Sequence, residues 1–245
     1  MPSFFSPELL VPSFAVFLAS FMQSITGFGM AIIATPLLIV SYEPKFVVIV
    51  LIFLSLCSNI VFSLYLMRQA NLKMAAYLSL GAFLGQPLGL VIYGSVSNNT
   101  LKIIVSLCIL LFLIMMQFLH VKIPENNRNS AITGFFSGVL ATTTGMSGPP
   151  LVMYLASTRQ PPAITRATCV LYFLVINITS LLGFWLSGKN LAAATATGFS
   201  LLPGLAIGLL LGNLAFKYVS AKLFYQLLLG MLLVTCLYTF YTVFF

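Results

Sequence analysis

The residues of this chain best suited to chemistry are not its charged ones. Two short polar clusters interrupt long apolar stretches: Thr26-Gly27-Phe28-Gly29, followed by Pro36, and Thr142-Thr143-Thr144-Gly145-Met146-Ser147-Gly148-Pro149-Pro150. Glycine and proline clustered between two hydrophobic pieces stop a helix. A helix that stops inside a membrane leaves backbone N–H groups unpaired and presents the positive end of its dipole, and both favour an anion. Gly27, Gly29, Gly145 and Gly148 let the backbone approach a ligand closely. The hydroxyls of Thr26, Thr142, Thr143, Thr144 and Ser147, with the amide of Gln23 one turn earlier, are donors of the kind an oxyanion accepts strongly. The chemistry expected here is the holding of an anion rather than bond breaking. Close helix packing would use the same small residues, but two such clusters at corresponding positions favour a binding site.

The positions correspond because the sequence repeats. Thr26-Gly27 matches Thr144-Gly145, Pro44 matches Pro162, and Asn59 matches Asn177, all at a spacing of 118. Gly85 and Gly89 match Gly204 and Gly208 at 119, and Lys102 matches Lys222 at 120. The chain divides into an N-terminal repeat, residues 1–120, and a C-terminal repeat, residues 121–245, within one membrane domain. Interrupted apolar segments at equivalent positions of two halves are the best sequence pointer to a transporter's binding site. Asn59 and Asn177 each fall in the middle of an apolar run. An amide in hydrocarbon must face the bundle interior and find a partner, so the pair either bonds across helices or lines the same pathway. Gly81, Gly85 and Gly89, and again Gly204, Gly208 and Gly212, recur every fourth residue and predict packing seams rather than ligand contacts.

Helices in lipid must position these residues. Of 245 residues, 60% are hydrophobic and 6% charged, with eleven Lys or Arg, three Glu, no Asp and one His, against about 25% charged in soluble domains. That leaves too little polarity for a water-facing surface. The net charge of +8 is spread as singles and pairs between apolar runs, which excludes a basic patch for nucleic acid. Six runs are long enough to cross a bilayer as helices: Phe46 to Met67, Met74 to Tyr93, Leu101 to Leu119, Ala167 to Ser187, Leu191 to Phe216 and Leu223 to Phe245. The absence of apolar and polar alternation excludes a barrel. The fold class is therefore an all-α polytopic membrane protein, each half a broken hairpin plus three transmembrane helices. Met1 to Val11 holds Glu8 and no Lys or Arg, unlike the positive start of a secretory leader. Cys57, Cys108, Cys169 and Cys236 stand alone in apolar runs and suggest packing.

The loop charges bear on the direction of the halves. If each broken segment crosses once, the positive residues divide five against six between the two sides. If each is a hairpin that enters and leaves on one side, Arg68, Lys73, Lys122, Arg128, Arg159, Arg166, Lys217 and Lys222 face Lys45, Lys102 and Lys189. Eight against three is a positive-inside signal. The expectation is inverted repeats, with the first hairpin dipping in from outside, the second from the cytoplasm, and both termini outside.

The segments Ser24-Ile25-Thr26-Gly27-Phe28-Gly29-Met30-Ala31 through Thr35-Pro36-Leu37-Leu38, and Gly134-Phe135-Phe136-Ser137-Gly138 through Gly145-Met146-Ser147-Gly148-Pro149-Pro150-Leu151-Val152-Met153-Tyr154-Leu155, resemble the two signatures of the sulfite exporter TauE/SafE family. Arg166-Ala167-Thr168 is similar to the family's basic motif opening the next helix. The resemblance implies a bacterial inner-membrane transporter of small sulfur-containing oxyanions such as sulfite or organosulfonates. Phe28 and Met146-Ser147 interrupt glycine runs found at the signature tips of many members, which leaves the substrate open. An anion channel, an importer of another small organic anion and a non-transporting scaffold are the rival readings. An intramembrane enzyme would need an acid pair, a metal cluster or a Ser-His arrangement, and Glu8, Glu43, Glu125 and His120 all lie near loops or termini. No cofactor is expected, and the partners are lipid and a small anion, with the oligomeric state left open. Candidate substrate-binding residues are Gln23, Thr26, Gly27, Gly29, Asn59, Thr144, Gly145, Ser147, Gly148, Arg166 and Asn177.

Overall fold

The computed structural model describes residues 7–118, 123–158 and 160–215. Among them are nine α-helices and no strand: α1 Pro7–Thr26, α2 Met30–Leu38, α3 Pro44–Leu66, α4 Leu72–Ser95, α5 Asn98–Phe118, α6 Asn127–Thr144, α7 Gly148–Ser157, α8 Pro162–Leu186 and α9 Ala192–Ala215. Four stretches are long and apolar enough to cross a membrane: Pro44–Gln69, Leu72–Ser95, Ala163–Leu186 and Ala192–Ala215. Leu64, Leu84, Leu186, Leu210 and Leu214 stand exposed on these helices, as a lipid-facing surface requires. The chain is a multi-pass helical membrane protein. The expected last span, Leu223 to Phe245, lies outside the described residues, as do His120, Lys122, Arg159, Lys217 and Lys222.

Local chemistry sets the helix boundaries. Pro44 and Pro162 open α3 and α8, where the missing proline N–H costs nothing. Asn71 and Asn126 cap α4 and α6 by accepting from Met74 N at 3.0 Å and Asn129 N at 2.7 Å. The second arm of the C-terminal break starts at Gly148. Pro149 and Pro150 belong to its first turn, where prolines are tolerated, instead of preceding it. The first arms α1 and α6 end against Gly27, at φ +81°, and Gly145, at φ +75°, the left-handed conformation that glycine adopts freely at a helix C-terminus.

Two glycine seams tie each half to the other. α4 lies along α6, where a Cβ on Gly81, Gly85 or Gly89 would strike the carbonyls of Ala131, Phe135 and Val139. α9 lies along α1, where a Cβ on Gly204, Gly208 or Gly212 would strike those of Ser13, Phe17 and Phe21. The contacted carbonyls keep the 118 spacing, but the glycines correspond at 123, three with three. Pairing Gly85 with Gly204 at 119 thus sets the two helices one turn out of step.

The central pair is α3 and α8. Phe62, near the end of α3, has its ring 5.4 Å from the guanidinium of Arg166, near the start of α8, while Asn177 reaches Ser55 in the middle of both. The two helices run antiparallel. Beyond the same end of the pair, Asn71 N donates to Thr168 Oγ1 at 2.9 Å. At the opposite end, the ammonium groups of Lys45 and Lys189 lie 5.4 and 5.9 Å from the centre of the Tyr93 ring. The α6–α7 segment returns to its own beginning: Ser157 Oγ donates to Ile123 O at 3.1 Å, and Gln160 Nε2 to Glu125 Oε1 at 2.7 Å.

Candidate functional site

The two interruptions meet. Gln23, Phe28, Gly29, Met30 and Ile32 from the first break, and Gly145, Ser147 and Gly148 from the second, line one cavity together with Ser55 of α3 and Phe173 of α8. Ile32 Cδ1 lies 3.0 Å from where a Cβ on Gly148 would stand, so the tips pack directly on each other. The cavity volume is about 20 Å³, room for about one water. In this arrangement the site is too narrow for an oxyanion of several heavy atoms, which fits only if the tips part.

Polar groups surround this point. Gln23 is 1% exposed and its Oε1 has no hydrogen-bond partner among the described residues. A half-turn of the amide exchanges its oxygen for the NH₂ without changing its shape, so the position offers a ligand either group. α2 and α7 both begin at the cavity with no side chain capping them, which directs two positive dipole ends there; α2 adds the free N–H groups of its first turn, whereas in α7 Pro149 and Pro150 have none and Gly148 alone supplies one.

Asn59 and Asn177 are buried, 0% and 5% exposed. They form a layer behind the cavity rather than its lining. Asn59 Nδ2 donates to Ser55 O at 2.7 Å and to Ser55 Oγ at 3.2 Å; Asn177 Nδ2 donates to Ser55 Oγ at 2.9 Å. Asn177 thus bonds across helices to a residue of the cavity wall, while Asn59 bonds to the same residue within its own helix.

The threonine cluster is spent on packing. Thr142 Oγ1 donates to Gln86 O at 2.9 Å, Thr143 Oγ1 to Val139 O at 2.8 Å, and Thr144 Oγ1 to Leu140 O at 2.9 Å. Thr144 also accepts from Met146 N at 3.3 Å, which steadies the turn. Only the backbone of Thr26 is described. Gly27 faces away from the cavity and packs on Arg166, whose Cγ lies 2.6 Å from where a Cβ would be. Arg166 Nη2 donates to Ser24 O at 2.8 Å. The arginine also lines a second cavity of about 380 Å³ with Phe62, Tyr65 and Asn213.

Of the residues expected at the site, Gln23, Gly29, Gly145, Ser147 and Gly148 come together, Asn59 and Asn177 stand one layer back, and Gly27, Thr144 and Arg166 brace the tips. Ser55 and Phe173 escaped the sequence reading. The signal was present in the sequence: Ser55 lies one turn before Asn59, and Phe173 is its mate at the 118 spacing. Among the described residues no group of three His, Cys, Asp or Glu side chains gathers to hold a metal. The arrangement suits reversible binding of a small anion by backbone and neutral donors.

A family model described as Sulfite exporter TauE/SafE matches residues 13–239, nearly the whole chain. No curated protein and no solved structure matches it.

Proposed function

Because the chain belongs to the sulfite exporter TauE/SafE family, which implies a membrane transporter, we propose that it is a secondary exporter of small sulfur-containing oxyanions such as sulfite or organosulfonates. The anion binds between the two broken-helix tips near the midplane. The observation that carries this reading is that both tips, 118 residues apart in sequence, line one cavity with Gln23 and Ser147.

The halves are inverted repeats with re-entrant hairpins. The antiparallel crossing of α3 and α8, which are equivalent in the repeat, supports this, because a two-fold axis in the membrane plane reverses equivalent helices. So does the grouping of charges. Lys45 and Lys189 share the Tyr93 ring, whereas eight full spans would put them on opposite faces. Arg166 lies by Phe62, and Thr168 by Asn71 between Arg68 and Lys73, so the cationic end is the cytoplasmic one. Both termini then lie outside, in the inner membrane.

Gln23, Gly29, Gly145, Ser147 and Gly148 contact the anion. Asn59, Asn177, Gly27, Thr144 and Arg166 hold the tips and the wall that do so. With Glu8, Glu43 and Glu125 all outside the spans, no acid there carries a coupling proton. The anion either brings its own proton or moves outward down its gradient, helped by an inside-negative potential.

The test is flux by the purified chain in proteoliposomes across sulfite, organosulfonates, sulfate and carboxylates. Saturable flux of sulfite or a sulfonate is expected. Conductance steps would make it a channel, preference for carboxylates would move the substrate class, and no flux of any anion would leave the scaffold reading.

A further inference from the structure

The hydroxyl of Ser55 is in an unusual position for a helical serine. Ser58 and Ser63 on the same helix send their hydroxyl protons back to the carbonyls of Ser55 and Ile60. Ser55 Oγ instead accepts twice, from Asn59 Nδ2 at 3.2 Å and from Asn177 Nδ2 at 2.9 Å. A hydroxyl has two lone pairs and one proton. With both lone pairs engaged, the proton is what remains to be given, and among the described residues it has no acceptor. Ser55 lines the cavity between the tips.

We propose that Ser55 is an anion-binding residue whose hydroxyl is fixed as a donor into this cavity by Asn59 and Asn177, and that the two asparagines are positioning residues for it. This rests on the transport reading above. A freely turning hydroxyl serves as donor or acceptor alike, but one held by two amides is a donor only. It favours an unprotonated oxyanion oxygen and gives nothing to a solute that must itself donate. The device exists on one wall only. The repeat mate of Ser55 is Phe173, whose ring lines the same cavity, so the anion sits toward the first half, where Gln23 also lies. A symmetric pair of asparagines thus serves an asymmetric site.

The experiment is equilibrium binding of radiolabelled sulfite to the purified full-length protein in detergent, for the wild type, S55A, S55C, S55T, N177L and the S55A/N177L double variant. Loss of a hydrogen bond to a charged partner predicts that S55A binds about tenfold or more weakly, while S55T, which keeps the hydroxyl, stays within about threefold. N177L weakens binding in the wild-type background and has no further effect once Ser55 is alanine, the non-additivity expected of residues acting through one another. Asparagine needed only for packing would weaken both backgrounds equally, and that result overturns the positioning role. S55A binding as tightly as the wild type overturns the Ser55 assignment and leaves the transport reading intact. If S55A does not yield folded protein, S55C decides in its place, because its thiol fills the same space but donates weakly, and wild-type affinity in S55C overturns the assignment. A wild type that binds no sulfite here and carries neither sulfite nor an organosulfonate in the flux assay overturns the transport reading itself.

Discussion

Arg166 of the second half closes the end of a helix in the first: its Nη2 donates to the carbonyl of Ser24 at 2.8 Å, three residues before Gly27 ends α1. The last carbonyls of a helix have no partner within it, and the dipole there is negative, so a guanidinium answers both needs. The equivalent contact in the other half is Gly145 against the backbone of Val48, 3.6 Å from where a Cβ would be. One tip is therefore braced by a cation and the other by the backbone of a neutral residue. Arg166→Ala is expected to destabilise the protein by about 1–2 kcal/mol, with Arg166→Lys recovering part of the loss. Thermal unfolding in detergent checks this, and an unchanged midpoint in the alanine variant would sink the bracing role.

The glycine seams make a sharper stability prediction. A methyl group on Gly85 would overlap the carbonyl of Phe135, and one on Gly208 that of Phe17, in both cases backbone that cannot swing aside. Gly94, on the same helix as Gly85, has nothing within 4 Å of its would-be Cβ. Gly85→Ala and Gly208→Ala should each cost about 2 kcal/mol or more through forced separation of the helices. Gly94→Ala should be neutral or gain up to about 1 kcal/mol, since it only removes backbone freedom. Equal unfolding temperatures for all three would contradict close backbone approach as the basis of the seams.

The breaks and the proline-led starts of α3 and α8 were legible in the sequence because glycine and proline act locally. Gly27, Gly145 and the two proline-led helix starts owe their conformations to their own backbone chemistry and no distant partner alters them. The destinations of hydroxyls were not legible. Thr142 and Thr143 look like ligands beside a glycine turn, yet they sit in the α4–α6 seam, where the glycines bring acceptor carbonyls of Gln86 and Gly89 within reach. Ser55 lies one turn before Asn59, but the sequence does not show what its hydroxyl meets. Its role comes from Asn177, 122 residues away. The register of α9 was misread for a related reason: three equally spaced glycines match three others at more than one offset, and only the carbonyls they face choose between them.

Side-specific labelling tests the topology. Lys73 and Lys189 are both exposed, and the eight-span arrangement puts them on the same side. With the four native cysteines replaced, Lys73→Cys should react with a membrane-impermeant maleimide only from the cytoplasm and Lys189→Cys only from outside. Labelling of both from one face would overturn the inverted hairpin arrangement.

The two tip glycines Gly145 and Gly148 should fail in different ways. Gly145 has φ +75° and no neighbour closer than 3.6 Å to a would-be Cβ, so Gly145→Ala meets strain and no collision. The left-handed conformation costs a non-glycine residue about 1–2 kcal/mol, which should lower stability while the cavity keeps its shape and flux falls modestly. Gly148 has no positive φ, but Ile32 Cδ1 of the opposite tip stands 3.0 Å from its would-be Cβ. Gly148→Val would drive a branched side chain into the contact between the tips and fill a cavity of about 20 Å³. Its stability loss should be small, because Ile32 is a flexible side chain that can turn, while anion flux should be abolished. Measuring flux and unfolding on the same preparations separates the two effects. If Gly148→Val transports like the wild type, the anion does not pass between the tips.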